Sequence, residues 1–365
     1  MKKILILTVS YGEGHNSAAR GIRDALARIA PAAAVEIHDL FAETYGWFNE
    51  FVRKAYLALI NRAPRAWGTV YRWLDRKTSF EKDFAGFHRL KRNFTALLAR
   101  FQPDVVVSVF PAYPYLLQQL EPARPRAAQN VTKSVVVVTD SITVNAIWYR
   151  CIADYFLVPN PQSAAVVQAG GIAPELIKAF GFPVSPKFAD LVQNRPAPSS
   201  ESCPRVLYVI TAGTSRAPEL VRRLIDLNLD LTVTVGRDEK LRRAIEAAAG
   251  SRKIELLGWT DQLPRLLCEN NLLIGKAGGA TVQEAIAASC PMIINHVVSG
   301  QEEGNARLIV ETNSGAIAHS PAETATQVQQ AFAHGAKQWL EWKSNISRLS
   351  RPRASLEIAE FLLSI

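Results

Sequence analysis

Apolar and polar positions alternate in a repeating rhythm along this chain. Short β-branched runs, ILILTV (Ile4 to Val9), VEIHDL (from Val35), DVVVSVF (from Asp104), SVVVVTD (from Ser134) and DYFLVPN (from Asp154), are separated by stretches of helical spacing. Continuous apolar runs of this length, each followed by amphipathic sequence, predict strands buried on both faces of a parallel sheet. The rhythm restarts after the Pro/Ser-rich passage Arg195 to Pro204, with VLYVIT (from Val206), LTVTVG (from Leu231), KIELLG (from Lys253), NLLIGK (from Asn271) and PMIINH (from Pro291). Two doubly wound α/β domains joined near 191–204 are the simplest account, and 365 residues is a length that fits two. Ligands in such folds bind at the carboxyl ends of the strands, so with two facing domains the cleft between them is the expected site.

Residues 47–100 break the rhythm. They hold twelve Lys/Arg against four acids, a net of plus eight out of the chain's formal plus nine. Eleven of the 31 aromatics sit in the same stretch, among them Trp47, Phe48, Phe51, Trp67, Phe80, Phe87 and Phe94. Spacings such as Phe48/Val52/Ala55/Leu59 and Phe80/Phe84/Phe87/Phe94/Leu98 are helical, which predicts apolar stripes facing the N-terminal core with the cations on a solvated face. The functional alternative is an interfacial region that beds Trp and Phe among headgroups and sets Lys/Arg against anionic lipid. At ~1 kcal/mol per cation near the surface, four cations supply roughly 4 kcal/mol, enough for reversible attachment. Single-stranded nucleic acid fits the same mix, but the motifs in the rest of the chain decide against it.

Composition narrows the class further. A hydrophobic share of 48% and a charged share of 21% exclude a disordered or fibrous chain. The apolar run at Ile4 to Val9 is too short for a signal core, and no run reaches the 18 residues of a spanning helix, so neither secretion nor a membrane crossing is expected. Cys151, Cys203, Cys268 and Cys290 stand far apart, with no CxxC pair and no histidine at metal-ligand spacing. Neither a disulfide framework nor a zinc site is predicted, and a reducing cytoplasm fits.

Three segments carry chemistry. The first strand runs into Ser10-Tyr-Gly12-Glu-Gly14-His15, where the two glycines are expected to turn the chain sharply into a helix whose N–H groups favour an anion. Ser17 stands where a dinucleotide fingerprint needs its third glycine, so that signal is incomplete. His15 then lies at the lip of the strand, able to take a proton from a hydroxyl, or is simply structural. Asp140 closes SVVVVTD and reaches the same rim if the strands are parallel neighbours, or serves as an N-cap for the next turn of chain. The third segment is Gly275-Lys276-Ala-Gly278-Gly279-Ala280-Thr281-Val-Gln-Glu284, followed by Gly300-Gln301-Glu302-Glu303-Gly304-Asn305. Its glycine turn and helix start offer backbone donors to a diphosphate, Glu284 can hold both hydroxyls of a ribose, and Gln301 and Glu302 can receive sugar hydroxyls. Asn305, one turn further, is placed to hold that loop.

These residues resemble a known family. SYGEGH near the start, VTD at 138–140, Trp148, GFPVSPKF at 181–188, KAGGATVQEA and GQEEGNA are together similar to the monogalactosyldiacylglycerol synthases and processive diacylglycerol glucosyltransferases. These are inverting GT-B glycosyltransferases, distantly related to the peptidoglycan lipid-linked N-acetylglucosaminyl transferase. The resemblance runs from about residue 2 to 320 and implies two Rossmann-like domains facing across a cleft. The implied boundaries are 1–190 for the acceptor and membrane domain, 205–338 for the UDP-sugar domain, and 339–365 for helices crossing back to the first domain. Carried over, His15 and Asp140 are the implied catalytic pair. The donor side comprises Gly213, Thr214, Gly258, Lys276, Gly278, Gly279, Ala280, Thr281, Glu284, Gln301, Glu302 and Asn305. The acceptor and membrane side comprises Gly12, Gly14, Trp47, Phe48, Arg53, Lys54, Arg62, Arg65, Trp67 and Trp148.

Two departures stand out: the loop Thr211 to Ser215 keeps only Gly213 where relatives carry more glycines, and Asn145 stands where relatives often carry a histidine. The implied reaction is inverting, metal-independent transfer of a hexose from a UDP-sugar to a lipid, 1,2-diacylglycerol first among candidates. It needs no cofactor and no nucleic acid, and takes place at the anionic inner face of the cell membrane. A nucleotide-sugar epimerase, a polyprenyl-linked acceptor and a catalytically silent binding protein are the alternatives.

Overall fold

The computed structural model describes residues 1–62, 80, 86–120, 132–194, 203–298 and 302–365. They form two compact units, one of residues 1–186, 298–304 and 353–365, the other of 187–297 and 305–352.

In the first unit the chain alternates β1 (Lys3–Leu7), α1 (Glu13–Ile29), β2 (Ala34–His38), α2 (Leu40–Tyr45), α3 (Trp47–Arg62), α4 (His88–Phe101), β3 (Val105–Ser108), α5 (Ala112–Leu120), β4 (Lys133–Val137), β5 (Tyr155–Leu157), α6 (Pro161–Ala169) and β6 (Ile177–Lys178). The strands make one parallel sheet in the order β2-β1-β3-β4-β5-β6. Ile4 to Leu7, Val105 to Val107 and Val135 to Val137 are buried on both faces, which is why those runs carry no polar alternation. Each such side chain contributes roughly 1.5–3 kcal/mol by leaving water. β2 differs, since every residue of it is only half-buried, as an edge strand permits.

The second unit repeats the plan with α7 (Lys187–Gln193), β7 (Arg205–Val209), α8 (Ala217–Ile225), β8 (Asp230–Thr234), α9 (Glu239–Ala249), β9 (Glu255–Leu257), α10 (Leu263–Glu269), β10 (Leu272–Lys276), α11 (Gly279–Ala287), β11 (Met292–His296), α12 (Glu303–Glu311), β12 (Gly315–Ile317) and α13 (Pro321–Leu349). Its sheet is parallel in the order β12-β11-β10-β7-β8-β9. All ten predicted strands are present. β6 and β12, two and three residues long, were not predicted.

Two details differ from the sequence boundaries. Residues 187–190 begin α7, which packs on α10 of the second unit, so the first unit's opening segment ends at Pro186. Residues 339–352 also stay with the second unit, where Trp339 and Trp342 are core residues and the Trp339 indole N–H donates to the Asn271 carbonyl at 2.8 Å. α13 kinks at Ala333 to Ala336, where three residues take left-handed backbone. Only the last helix, α14 (Ala354–Ser364), lies in the first unit, packed on α1. No helix among the described residues is long and apolar enough to cross a membrane.

Candidate functional site

The first unit gathers its chemistry at the carboxyl ends of β1 and β4. After β1 the chain is braced by short-range polar contacts: the Thr8 hydroxyl donates to Asn16 Oδ1 at 3.0 Å, Asn16 Nδ2 to Ser10 Oγ at 3.3 Å, and the Ser10 N–H to Asp39 at 2.8 Å. These contacts fix the start of α1 and hence His15. Gly12 is extended (φ −169°) and Gly14 is helical, and a Cβ at either would meet open space. The sharp glycine-dependent turn predicted there is therefore absent. What the two glycines provide is bare backbone beside His15.

The His15 imidazole is partly buried, edge-on to Phe110 at 5.3 Å and tilted against Trp148 at 6.0 Å. Its Nδ1 lies 3.2 Å from the Thr139 hydroxyl. Dehydration by these neighbours pushes its pKa down to about 4, against a hydrogen bond to the Val109 backbone that favours the charged form. His15 is thus neutral at physiological pH, the form in which a ring nitrogen accepts a proton.

Asp140 follows Thr139, and one of its carboxylate oxygens accepts the Trp148 indole N–H at 2.9 Å. His15, Thr139, Asp140 and Trp148 are therefore one cluster. Asp140 is not an N-cap for the short 3₁₀ turn Ala146–Trp148 after it; Asn145 takes that role, its side chain accepting the Ile147 N–H at 3.1 Å. At 3% exposure Asn145 has a structural task.

The segment 298–304 belongs to this unit as well. A Cβ on Gly304 would collide with the Ser141 carbonyl and the Thr143 side chain, so only glycine lets the segment close on the loop after Asp140. The Glu302 carboxylate is buried and accepts the Val298 N–H at 3.0 Å, so this predicted sugar reader already has one backbone partner. Gln301 lies outside the described residues.

In the second unit, Lys276 ends β10, Gly278 is the extended cap and Gly279, Ala280 and Thr281 form the first turn of α11, with Glu284 on the next turn. Gly278 has an ordinary backbone (φ −64°), so the turn does not need glycine there for its conformation. Asn305 Nδ2 donates to the Ala277 carbonyl at 3.1 Å and holds this turn, while its Oδ1 is buried without a donor among the described residues. Gly213 takes left-handed backbone (φ +65°) where the chain enters a 3₁₀ turn at Thr214, so here the glycine is conformational. Gly258 follows β9, with Gly236 O and Arg242 Nη2 each 3.3 Å from where a Cβ would stand.

The basic aromatic stretch divides. Phe80 and Phe94 are core, but Trp47 (82% exposed), Phe48 and Phe51 (63%) project from α3, whereas Asn49 of the same helix is buried, its Oδ1 accepting the Tyr11 hydroxyl at 2.8 Å. The predicted core-facing stripe through Phe48 is corrected accordingly. Arg53 makes two 2.7 Å bonds to Glu50, which hold its pKa up and that of Glu50 down. Lys54 is 3.7 Å from the same carboxylate, so Glu50 neutralises one of these two cations. The Arg62 side chain, Arg65 and Trp67 lie outside the described residues. Thr139, Phe110 and the Ser141–Thr143 loop were not singled out by the sequence, although each adjoins a strand end that was.

Two parallel Rossmann-like sheets with polar clusters at their strand ends define the class by architecture: a protein of GT-B fold. Acinetobacter baumannii MurG shares this fold, with a TM-score of 0.64 at 13% identity over the whole of both chains. So does the Neisseria meningitidis UDP-GlcNAc 2-epimerase solved with UDP-GlcNAc, with a TM-score of 0.61 at 10% identity over the whole of both chains. Within the class, residues 15–184 match the family model of the monogalactosyldiacylglycerol (MGDG) synthases, the family that the sequence motifs resemble. The chain is 27% identical to monogalactosyldiacylglycerol synthase 1, chloroplastic, of Arabidopsis thaliana, over 98% of this chain and 70% of that protein.

Proposed function

We propose that this protein transfers a hexose from a UDP-sugar to a lipid hydroxyl, with 1,2-diacylglycerol as acceptor, while peripherally attached to a membrane. The observation that carries the reading is the cluster in which a neutral His15 stands beside Thr139 and the Asp140–Trp148 pair. In this reading His15 takes the acceptor proton as the acceptor oxygen bonds to the anomeric carbon. The bond from that carbon to the diphosphate breaks on the opposite face, and UDP leaves with the electron pair, inverting the centre. His15 binds protons weakly in the free protein, but the hydroxyl proton becomes acidic as its oxygen bonds to carbon, so transfer late in the step suits such a base. Departing diphosphate is stabilised by N–H groups at the start of α11. Glu284 holds the ribose, and the buried, unmatched Oδ1 of Asn305 supports a hydroxyl-bearing ligand nearby. The reading includes no metal and no cofactor. Trp47, Phe48 and Phe51 supply the membrane contact.

The test is UDP release from UDP-galactose and UDP-glucose separately, with anionic vesicles carrying or lacking diacylglycerol, and lipid extracts analysed for a glycolipid. Diacylglycerol-dependent release with a new glycolipid is expected, and unchanged rates with EDTA. Interconversion of the sugar without lipid would identify an epimerase, and binding without turnover a silent protein.

A further inference from the structure

The second unit holds a cavity of about 360 Å³ at the carboxyl ends of β7 and β11 and the loop after β12. Of the residues assigned above to the donor, only Gly213 lines it. Among the described residues its wall carries Arg216, His296 and His319 and no carboxylate, the Glu323 carboxylate behind it accepting the His319 N–H at 2.7 Å. Arg216 Nη1 donates to the His319 carbonyl at 3.1 Å, which fixes the guanidinium on the wall, and no acidic side chain pairs with it among the described residues. Other described arginines do have such a partner, among them Arg20, Arg53, Arg100, Arg223 and Arg307.

A second observation is independent of these charges. Tyr208, 2% exposed on β7, receives Asn295 Nδ2 on its hydroxyl oxygen at 3.3 Å, and the phenol's own proton has no acceptor among the described residues. If the amide is turned the other way, tyrosine donates to it and Nδ2 is released. The unspent donor is the buried phenol in the first orientation and the amide of the half-buried Asn295 in the second. Burial raises the Tyr208 pKa to about 12, which keeps the phenol protonated. Unspent buried donors are costly unless a ligand or water receives them.

We infer that this cavity is a binding site for a tetrahedral phosphate-class oxyanion, either inorganic phosphate or a phosphomonoester, separate from the donor diphosphate. Potential donors line it from four segments, Tyr208 on β7, Asn295 on β11, Arg216 before α8 and His319 after β12, which suits a tetrahedral anion better than a planar carboxylate. Bidentate guanidinium recognition supplies its strongest contact.

The experiment titrates the full-length protein with inorganic phosphate and with glycerol phosphate, by calorimetry and ³¹P NMR, with and without saturating UDP. Phosphate binding is expected to persist with UDP present and to weaken about tenfold or more in Arg216→Gln/His319→Gln, the loss of charge-assisted bonds. Tyr208→Phe, which keeps the ring, is expected to weaken binding less, with its melting temperature checked alongside. Tighter binding of glycerol phosphate assigns the site to a phosphomonoester, and equal or weaker binding to the free anion. Unchanged affinity in the double variant, displacement of phosphate by UDP, or no binding by the wild-type protein would overturn the inference. UDP titrated alone reports on the donor reading separately, so one can fail without the other.

Discussion

His15 shows how one side chain's surroundings set both chemistry and stability. Its folded pKa of about 4 lies below the ordinary histidine value, so between roughly pH 6.5 and 4 the unfolded chain binds a proton that the folded chain does not. Stability is therefore unaffected above that window, falls as the pH drops through it, and stops falling on this account below pH about 4. Denaturant unfolding of wild type and His15→Asn at pH 7.5, 6 and 5 measures this. The wild type is expected to lose more stability than the variant on acidification, and parallel losses would mean the ring is not dehydrated. Asn145 illustrates the opposite case, a residue whose task is local: it caps the turn that presents Trp148 to Asp140.

At the level of elements, legibility came from burial. Strands buried on both faces need uninterrupted apolar runs, so β1, β3, β4, β7 and β10 announce themselves, whereas β6 and β12 are too short for any pattern. α3 misled because helical spacing reports that a stripe exists, not what covers it. Its Phe48 and Phe51 point outward, while the polar Asn49 is buried. The close approach of Gly304 to the Ser141–Thr143 loop was illegible because it joins residues 160 positions apart. That approach gives a sharp expectation: Gly304→Ala forces backbone apart and should destabilise the protein by about 1–3 kcal/mol, read as a lowered melting temperature. No change would mean that the segment does not close on the loop. For α3, Trp47→Ser/Phe48→Ser/Phe51→Ser should lower sedimentation with anionic vesicles at least tenfold, since each exposed aromatic carries on the order of 1 kcal/mol or more of transferable apolar surface. Because these side chains are exposed, the fold should be unchanged by circular dichroism. Sedimentation at the wild-type level would place membrane contact elsewhere.

On the scale of the whole molecule, each of the two units, alike in architecture, carries its own polar cluster at its strand ends. The first holds His15, Asp140, Trp148 and the 302–304 corner, and the second holds the α11 turn with Glu284 and Asn305. The proposed function then assigns proton transfer and nucleotide binding to side chains held by separate cores. Loss of a positioned base typically lowers turnover 10²–10⁴-fold without touching ground-state affinity. His15→Ala should therefore keep the UDP dissociation constant of the wild type while turnover falls by about two orders of magnitude or more. Glu284→Ala should do the reverse at the binding level, weakening UDP by about tenfold as a carboxylate's charge-assisted hydrogen bonds to a ribose are lost. Calorimetric titration with UDP and steady-state assay of the same two preparations decide it. If His15→Ala weakens UDP as much as Glu284→Ala does, the imidazole touches the donor. A histidine that serves the acceptor hydroxyl predicts two variants that fail in different measurements.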